Sequence, residues 1–162
     1  HTMKVLSFTL GQHPYGVSIA PVREIIGVGD ITPVPLTPGF LCGVINLRGA
    51  VVPVLDLAVR LGLPRSERTE RSCILVVEAG QEPGGPPQFM GLLVDAVQEV
   101  LRLDDASLAE VPGFGTRVDP AFVAGVHATP GASLLLLALE RVLSMDELTQ
   151  AIETGLVEPE WA

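Results

Sequence analysis

Short stretches in which hydrophobic and polar residues alternate recur along most of the chain and predict many short β-strands. In the first of them, Val5, Phe8 and Leu10 stand among the polar Lys4 and Ser7, which gives the segment one apolar face. Gly- and Pro-rich turns separate the stretches, a pattern typical of all-β proteins. The predicted elements are strands at 3–10, 15–19, 24–28, 31–35, 44–48, 50–55, 72–78, 89–103, 125–129 and 132–139 and short helices at 56–61 and 140–152.

An internal repeat is the most informative feature of the sequence. Residues 38–50 match residues 120–132 without a gap, 82 positions later, and residues 15–26 match residues 90–101, 75 positions later. The identical pairs of the first match are Pro38/Pro120, Phe40/Phe122, Gly43/Gly125, Val44/Val126, Gly49/Gly131 and Ala50/Ala132. Two copies of a small unit of strands predict two similar subdomains, and small all-β units usually close into barrels because closure removes exposed edges.

Residues that the two copies share are interpreted as structural, and the differences between the copies are interpreted as functional. The shared glycines suit turns or close backbone approach, and the shared Phe and Leu residues suit a core. Where the first copy has Asn46, Arg48 and Asp56, the second has Ala128, Pro130 and Ala138. Function is therefore expected on the first barrel, near Asn46 and Arg48.

Arg48 lies at a predicted hairpin tip, where its planar fork of donors has two possible uses. It can bind a carboxylate or backbone group of a partner, or it can pair with Asp56 and close the first barrel, and the residues alone leave both open. Asp56 is itself predicted to be the N-cap of the short helix that it precedes. Glu24 and Glu99 hold equivalent positions in the two copies, which first indicates a shared structural role.

Charge and composition exclude several classes of function. The 162-residue chain contains 48% hydrophobic residues, carries a formal net charge of −9 and has Lys4 as its only lysine. A nucleic-acid-binding protein needs a basic face, which this composition does not provide. No apolar run approaches the ~20 residues that a helix needs to span a bilayer.

Residues with catalytic or metal-binding chemistry are few. Cys42 and Cys73 lie in apolar stretches and are expected to be reduced core thiols. Together with His13 and His127 they show no metal-ligand spacing, so no metal or cofactor is expected. Both histidines are interpreted as structural, and neither a nucleophile with its base nor a phosphate-binding loop points to an enzyme.

The order and spacing of several motifs resemble the CheW family of chemotaxis proteins over residues 3–148. The motifs of the first copy are Tyr15-Gly-Val-Ser-Ile, Val22-Arg-Glu-Ile, Gly43-Val-Ile-Asn-Leu-Arg-Gly and Pro53-Val-Leu-Asp-Leu. The motifs of the second copy are Gly91-Leu-Leu-Val-Asp-Ala-Val-Gln-Glu-Val and Phe122-Val-Ala-Gly-Val. Single motifs of this kind are weak signals, whereas their order over nearly the whole chain is specific.

This resemblance implies two SH3-like five-stranded β-barrels with short helices around a shared apolar core. It also implies a non-catalytic, cytoplasmic adaptor that couples chemoreceptors of membrane arrays to a CheA-type histidine kinase. Arg48 matches the receptor-contacting arginine of the family, and Val22, Glu24 and Gly43 match positions around the receptor and kinase contacts. With Asn46, these residues form the predicted partner-binding site. The alternative is a CheW-like regulatory domain excised from a larger kinase or a fusion protein.

The predicted organisation is a single CheW-like domain over residues 3–152. His1 and Thr2 are interpreted as a cloning remnant ahead of a native start at Met3. This domain consists of a first barrel at roughly 15–75, a second barrel at roughly 89–140 with strand 3–10, and a C-terminal helix at 140–152, and an acidic tail follows at 153–162. The tail is expected to be disordered, although its Trp161 would also suit docking on a partner.

Overall fold

Strands dominate the computed structural model, which describes residues 1–81, 83–109, 118–129 and 132–144. The described strands are β1 (Thr2–Leu10), β2 (His13–Ser18), β3 (Val22–Gly27), β4 (Leu41–Leu47), β5 (Ala50–Asp56), β6 (Cys73–Gln81), β7 (Pro87–Val94), β8 (Ala96–Asp104), β9 (Leu108–Ala109), β10 (Val123–Thr129) and β11 (Ala132–Leu137). The described α-helices are α1 (Leu57–Arg60) and α2 (Leu139–Val142), and 3-10 turns lie at Asp105–Ser107 and Pro120–Phe122. The all-β class predicted from the alternation is confirmed.

Two sheets contain the strands of the described part of the chain. One has the strand order β8-β1-β2-β11-β10-β9, and the other has the order β3-β6-β7-β5-β4. Neighbouring strands are antiparallel, except that β5 runs parallel to β7 and β11 runs parallel to β2. The resemblance implied five strands in each sheet. The sixth strand of the first sheet is the two-residue β9, which pairs with β10.

The two copies of the repeat exchange strands between the sheets. β1 and β2 of the first copy join β8, β10 and β11 of the second, while β3, β4 and β5 join β6 and β7. The predicted division at 15–75 and 89–140 differs from this arrangement, since β2 and β7 each lie in the other sheet. Three residues separate β2 from β3, and Asp95 alone separates β7 from β8, so the chain crosses between the sheets directly at both places. The second crossing also interrupts the strand predicted at 89–103.

Alternate residues along the strands face different apolar clusters. In β6, Ile74 and Val76 pack in a cluster that comes only from the five-stranded sheet and the segment after β3, whereas Leu75 and Val77 pack in a cluster shared by both sheets. A third cluster, around Val5, comes only from the six-stranded sheet. Each sheet therefore curls around its own interior, and the shared core predicted from the resemblance joins the two. We call the five-stranded sheet the first barrel and the six-stranded sheet the second barrel.

Two predicted elements differ from the described structure in their extent. The strand predicted at 31–35 is reduced to a single bridge between Thr32 and Val44, since its two prolines cannot donate backbone hydrogen bonds. The helix predicted at 140–152 corresponds to α2, which ends at Val142, and the residues from 145 onward lie outside the described residues. The acidic tail at 153–162 also lies outside them.

Candidate functional site

The hairpin between β4 and β5 turns on two residues, Arg48 and Gly49. Their φ angles are 51° and 84°, as in a type I′ turn, whose twist matches that of the adjacent strands. Leu47 and Ala50 form the pair that flanks the turn. The backbone N–H of Gly49 donates to Oδ1 of Asn46 at 3.0 Å, so Asn46 braces the turn. Arg48 is thus displayed at the tip of a well-defined hairpin, as predicted.

An ion pair connects Arg48 with Glu24 of β3. Its Nη2 lies 2.9 Å from Oε1 of Glu24 and 2.7 Å from Oε2. The arginine side chain remains 72% exposed and the glutamate side chain 25% exposed, so the guanidinium stands on the solvent side of the pair. An intramolecular pair was one of the two interpretations that the sequence left open, but the predicted partner, Asp56, was wrong. Asp56 lies at the far end of β5, six residues of extended chain from the start of that strand beside the turn, which corresponds to roughly 20 Å.

Asp56 caps α1, which confirms the N-cap prediction. Its Oδ1 accepts a hydrogen bond from the backbone N–H of Val59 at 3.3 Å. Its own N–H donates to the carbonyl oxygen of Phe40 at 2.7 Å. Because the Asp56 side chain is buried and occupied in this way, it supports the fold of the first barrel.

Glu24 and Glu99 are equivalent in the repeat but make different contacts. Glu24 follows an irregularity in the pairing of β3 with β6, which begins after Val22. Glu99 lies at the corresponding irregularity between β8 and β1, where Ser7 Oγ donates to its carbonyl oxygen at 2.9 Å and accepts from its N–H at 3.1 Å. The bulge is therefore the shared structural feature, and the side-chain contact with Arg48 belongs to Glu24.

Gly43 lies beneath a segment of chain that crosses β4. Its φ is 145°, and a Cβ added to it would lie 2.1 Å from the carbonyl oxygen of Thr32. Thr32 and Val44 exchange two backbone hydrogen bonds of 2.9 Å, which fasten the crossing segment to β4. The close backbone approach predicted for this glycine is confirmed. Gly43 is buried, so it serves the hairpin through the backbone and presents no side chain to a partner.

Val22 lies at the start of β3, half-buried against the shared apolar cluster. The next residue, Arg23, forms an ion pair with Glu78 of β6. These contacts fix β3 against the body of the protein. The structure thus brings Arg48, Glu24 and Asn46 together around the hairpin tip, while Val22 and Gly43 hold the strands that carry them.

Two exposed apolar side chains near Arg48, Glu24 and Asn46 were not predicted from the sequence. Val51 lies directly opposite Asn46 in the hairpin, hence on the same outward face, and is 62% exposed. Ile25 follows Glu24 along β3, points to the other side of that strand and is 44% exposed. The exposure of Val51 could have been predicted from the alternation of the strand, because Val52 faces the barrel interior and its neighbour must face outward.

Other candidate chemistry is sparse. Burial raises the pKa of the Cys42 thiol, and the nearby carboxylate of Asp56 raises it further. The positive charges of two nearby arginines act in the opposite direction and lower this pKa. Cys42 and Cys73 are both half-buried free thiols, and Ser107 Oγ lies 3.4 Å from Nδ1 of His127. Within the part of the chain that the structure describes, no cluster of His, Cys, Asp or Glu could hold a metal ion. A search of the same residues finds no helix with the length and apolar character needed to cross a membrane.

Comparisons with known proteins cover nearly the whole chain. A family model described as a CheW-like domain matches residues 4–147. The chemotaxis protein CheW of Rhizobium meliloti (strain 1021) is 35% identical over 144 residues, which are 89% of each chain. The chemotaxis protein CheW of Klebsiella aerogenes is 34% identical over 143 residues, 88% of this chain and 82% of its own. The crystal structure of the scaffolding protein TtCheW from Thermoanaerobacter tengcongensis superposes with a TM-score of 0.75 and 35% identity, covering 88% of each chain.

Proposed function

The chain belongs to the CheW-like family of chemotaxis proteins, and from this premise we propose that it couples chemoreceptors to a CheA-type histidine kinase. The solved relative is described as a scaffolding protein, and a scaffold acts by holding its partners at high effective concentration. Membership of this family agrees with the non-catalytic adaptor role predicted from the sequence. The proposed place of action is the cytoplasm, on membrane receptor arrays, through these two partners.

The conformation of Arg48 carries the assignment of the receptor contact. A left-handed backbone costs a residue with a side chain roughly 1–2 kcal/mol, and asparagine suits a type I′ turn better than arginine does. An arginine kept in this conformation (φ 51°) therefore indicates a role for its side chain. Glu24 engages Nη2 of the guanidinium. The remaining N–H donors of the mostly exposed fork fit a carboxylate or a carbonyl oxygen of a receptor.

The neighbours of Arg48 complete a small interface of mixed character. Val51 supplies exposed apolar area beside the polar anchor, an arrangement typical of interfaces in which an arginine carries much of the binding energy. Glu24 fixes the direction of the guanidinium, and Asn46 fixes the turn beneath it. The residues that we assign to positioning, rather than to direct contact, are Val22, Glu24, Gly43 and Asn46.

Receptor binding by an Arg48→Ala variant tests this assignment. We expect the variant to fold, as judged by circular dichroism, and to bind a receptor cytoplasmic fragment at least about 30-fold more weakly, since truncation of an arginine hot spot costs about 2 kcal/mol or more. Arg23→Ala is the matched control, because Arg23 of β3 also forms an ion pair with a glutamate, Glu78 of β6. Receptor binding by Arg48→Ala that equals that of the unchanged chain would overturn the site assignment.

Kinase activity in a reconstituted complex tests the coupling role. The purified kinase and receptor are assayed with and without this chain, with a CheW protein of known activity as the positive control. We expect the chain to make kinase activity dependent on the receptor. The alternative, a regulatory domain of a larger kinase or a fusion protein, has the same fold but would not couple a separate kinase in trans. A chain that leaves kinase activity unchanged while the control protein couples it would contradict the proposal.

A further inference from the structure

Arg60, the last residue of α1, lies between two phenylalanine rings. Its guanidinium carbon is 4.9 Å from the ring centroid of Phe40 and 4.9 Å from that of Phe122. Its Nε donates a hydrogen bond to the carbonyl oxygen of Val142, in α2, at 3.0 Å. One half-buried guanidinium thus contacts α2 and the residues that directly precede β4 and β10.

The repeat places this contact where its two copies meet. Phe40 and Phe122 are equivalent, and the backbone carbonyl oxygen of each accepts a hydrogen bond from the residue before a helix. The N–H of Asp56 donates to Phe40 at 2.7 Å, and the N–H of Ala138 donates to Phe122 at 2.8 Å. The position equivalent to Arg60 is Val142. The first copy therefore supplies a guanidinium, and the second supplies a carbonyl oxygen that accepts from it. Val142 is itself buried in the apolar core, so only its backbone takes part in this hydrogen bond.

The Arg60 contact differs in kind from the shared apolar cluster. Burial of apolar side chains is non-directional and resists separation of the barrels, but packed elements can still slide by small amounts. A guanidinium that is held between two ring faces and donates a charge-assisted hydrogen bond fixes both distance and direction. The shared cluster therefore holds the barrels together, and Arg60 restricts how they are oriented.

We propose that Arg60 is a positioning residue that sets the angle at which the two barrels meet. Arg60 ends α1, which directly follows β5, and the Arg48 turn directly precedes the same strand. One continuous segment thus connects the hairpin tip with the contact between the barrels. The angle at this contact determines where the Arg48 surface stands relative to the second barrel. This role of Arg60 does not depend on the proposed partners.

Residual dipolar couplings of the backbone N–H groups measure this angle in the full chain. Alignment tensors fitted separately to the two barrels should coincide in the unchanged chain. In Arg60→Met, which keeps an unbranched apolar stem but loses the charge and the donors, we expect the two tensors to diverge in orientation or magnitude. Arg141→Met is the matched control, since Arg141 of α2 also donates to a carbonyl oxygen, that of Ala121 at 3.2 Å, from an exposed position.

Coinciding tensors in Arg60→Met, as in the control, would overturn the proposal. A role in stability alone would lower the urea midpoint without changing the relative tensors, and this outcome would also overturn it. If the methionine variant does not fold, Arg60→Lys decides, because lysine keeps the charge but loses the planar fork. Divergent tensors in that variant support the proposal, and coinciding tensors refute it. Failure of the unchanged chain to couple kinase to receptor would refute the proposed function and leave this result intact.

Discussion

Replacement of Arg48 by asparagine should separate the stability of the β4–β5 turn from the binding of a receptor. The turn holds residue 48 at φ 51°, beside Gly49 at φ 84°. Asparagine tolerates this left-handed backbone and is the residue most favoured before glycine in a type I′ turn. The substitution also removes the guanidinium, which we have assigned to the receptor contact.

The expected change in stability is the sum of two small effects of opposite sign. Asparagine relieves backbone strain worth roughly 1 kcal/mol. Loss of the ion pair with Glu24 removes about 0–1 kcal/mol, because the Arg48 side chain is 72% exposed and the pair is screened by solvent. The free energy of unfolding of Arg48→Asn should therefore stay unchanged or increase by up to about 1 kcal/mol. Arg48→Ala keeps the strain and loses the pair, so it should be less stable than Arg48→Asn by about 1 kcal/mol.

Urea unfolding and receptor capture, measured on the same preparations, check this prediction. With a slope of about 1–3 kcal/mol per molar urea, the asparagine variant should unfold at a midpoint roughly 0.3–1 M higher than the alanine variant. Both variants should lose receptor capture to the same extent. An asparagine variant no more stable than the alanine variant would refute the argument from the turn. An asparagine variant that captures the receptor like the unchanged chain would refute the role of the guanidinium.

Further predictions concern buried and half-buried positions away from the hairpin tip. Gly43→Ala should lower the free energy of unfolding by more than about 3 kcal/mol, because its Cβ would lie 2.1 Å from the carbonyl oxygen of Thr32; an unchanged thermal midpoint would contradict this. Ser7→Ala should lower it by about 1–3 kcal/mol in urea unfolding, because both backbone groups of Glu99 lose their bond to Ser7 Oγ; a loss well below this range would mean that the bulge closes without the hydroxyl. Burial raises the pKa of the Cys42 thiol above its ordinary value of 9.0, so the folded state holds the thiol proton more tightly than the unfolded state does. The stability that this proton provides is complete below pH 9.0 and is lost as the pH rises through the raised pKa. The urea midpoint of the unchanged chain should therefore fall relative to that of Cys42→Ser from about pH 8 to about pH 10, and midpoints that run in parallel would rule the effect out.

Alternation and the repeat were sufficient to predict the class of fold, most strands and the two similar barrels. They could not predict which copy supplies which strand, because alternation specifies the face that a residue occupies and not the neighbouring strand. β2 resembles β7 in sequence, yet each strand continues into the opposite barrel. Asp95 marks one crossing point, but it lies inside the stretch 89–103 that the sequence predicts as a single strand.

The candidate site was predicted in part for the same reason. The position of Arg48 at a hairpin tip followed from local sequence, and the N-cap role of Asp56 followed from the helix start. The pairing of Arg48 with Glu24 depends on contact between β3 and the hairpin, which no local pattern encodes. The equivalence of Glu24 with Glu99 also concealed it, since the repeat emphasised what the two residues share. Comparison of the copies directed attention to the Arg48 turn, but the intramolecular partner considered for Arg48, Asp56, was wrong.

The exchange of strands between the copies sets a condition on synthesis of the protein. β2 ends at Ser18, and its parallel neighbour β11 ends at Leu137. At translation rates of about 5–20 residues per second, roughly 6–24 s pass between the synthesis of the two. During this interval the β1–β2 hairpin has left the ribosome with Phe8 and Val17 uncovered and its edges unpaired, a state prone to aggregation. The β1–β2 hairpin therefore lacks its neighbour β11 until almost the whole chain has been made, whereas every strand of the first barrel has been made by Val94.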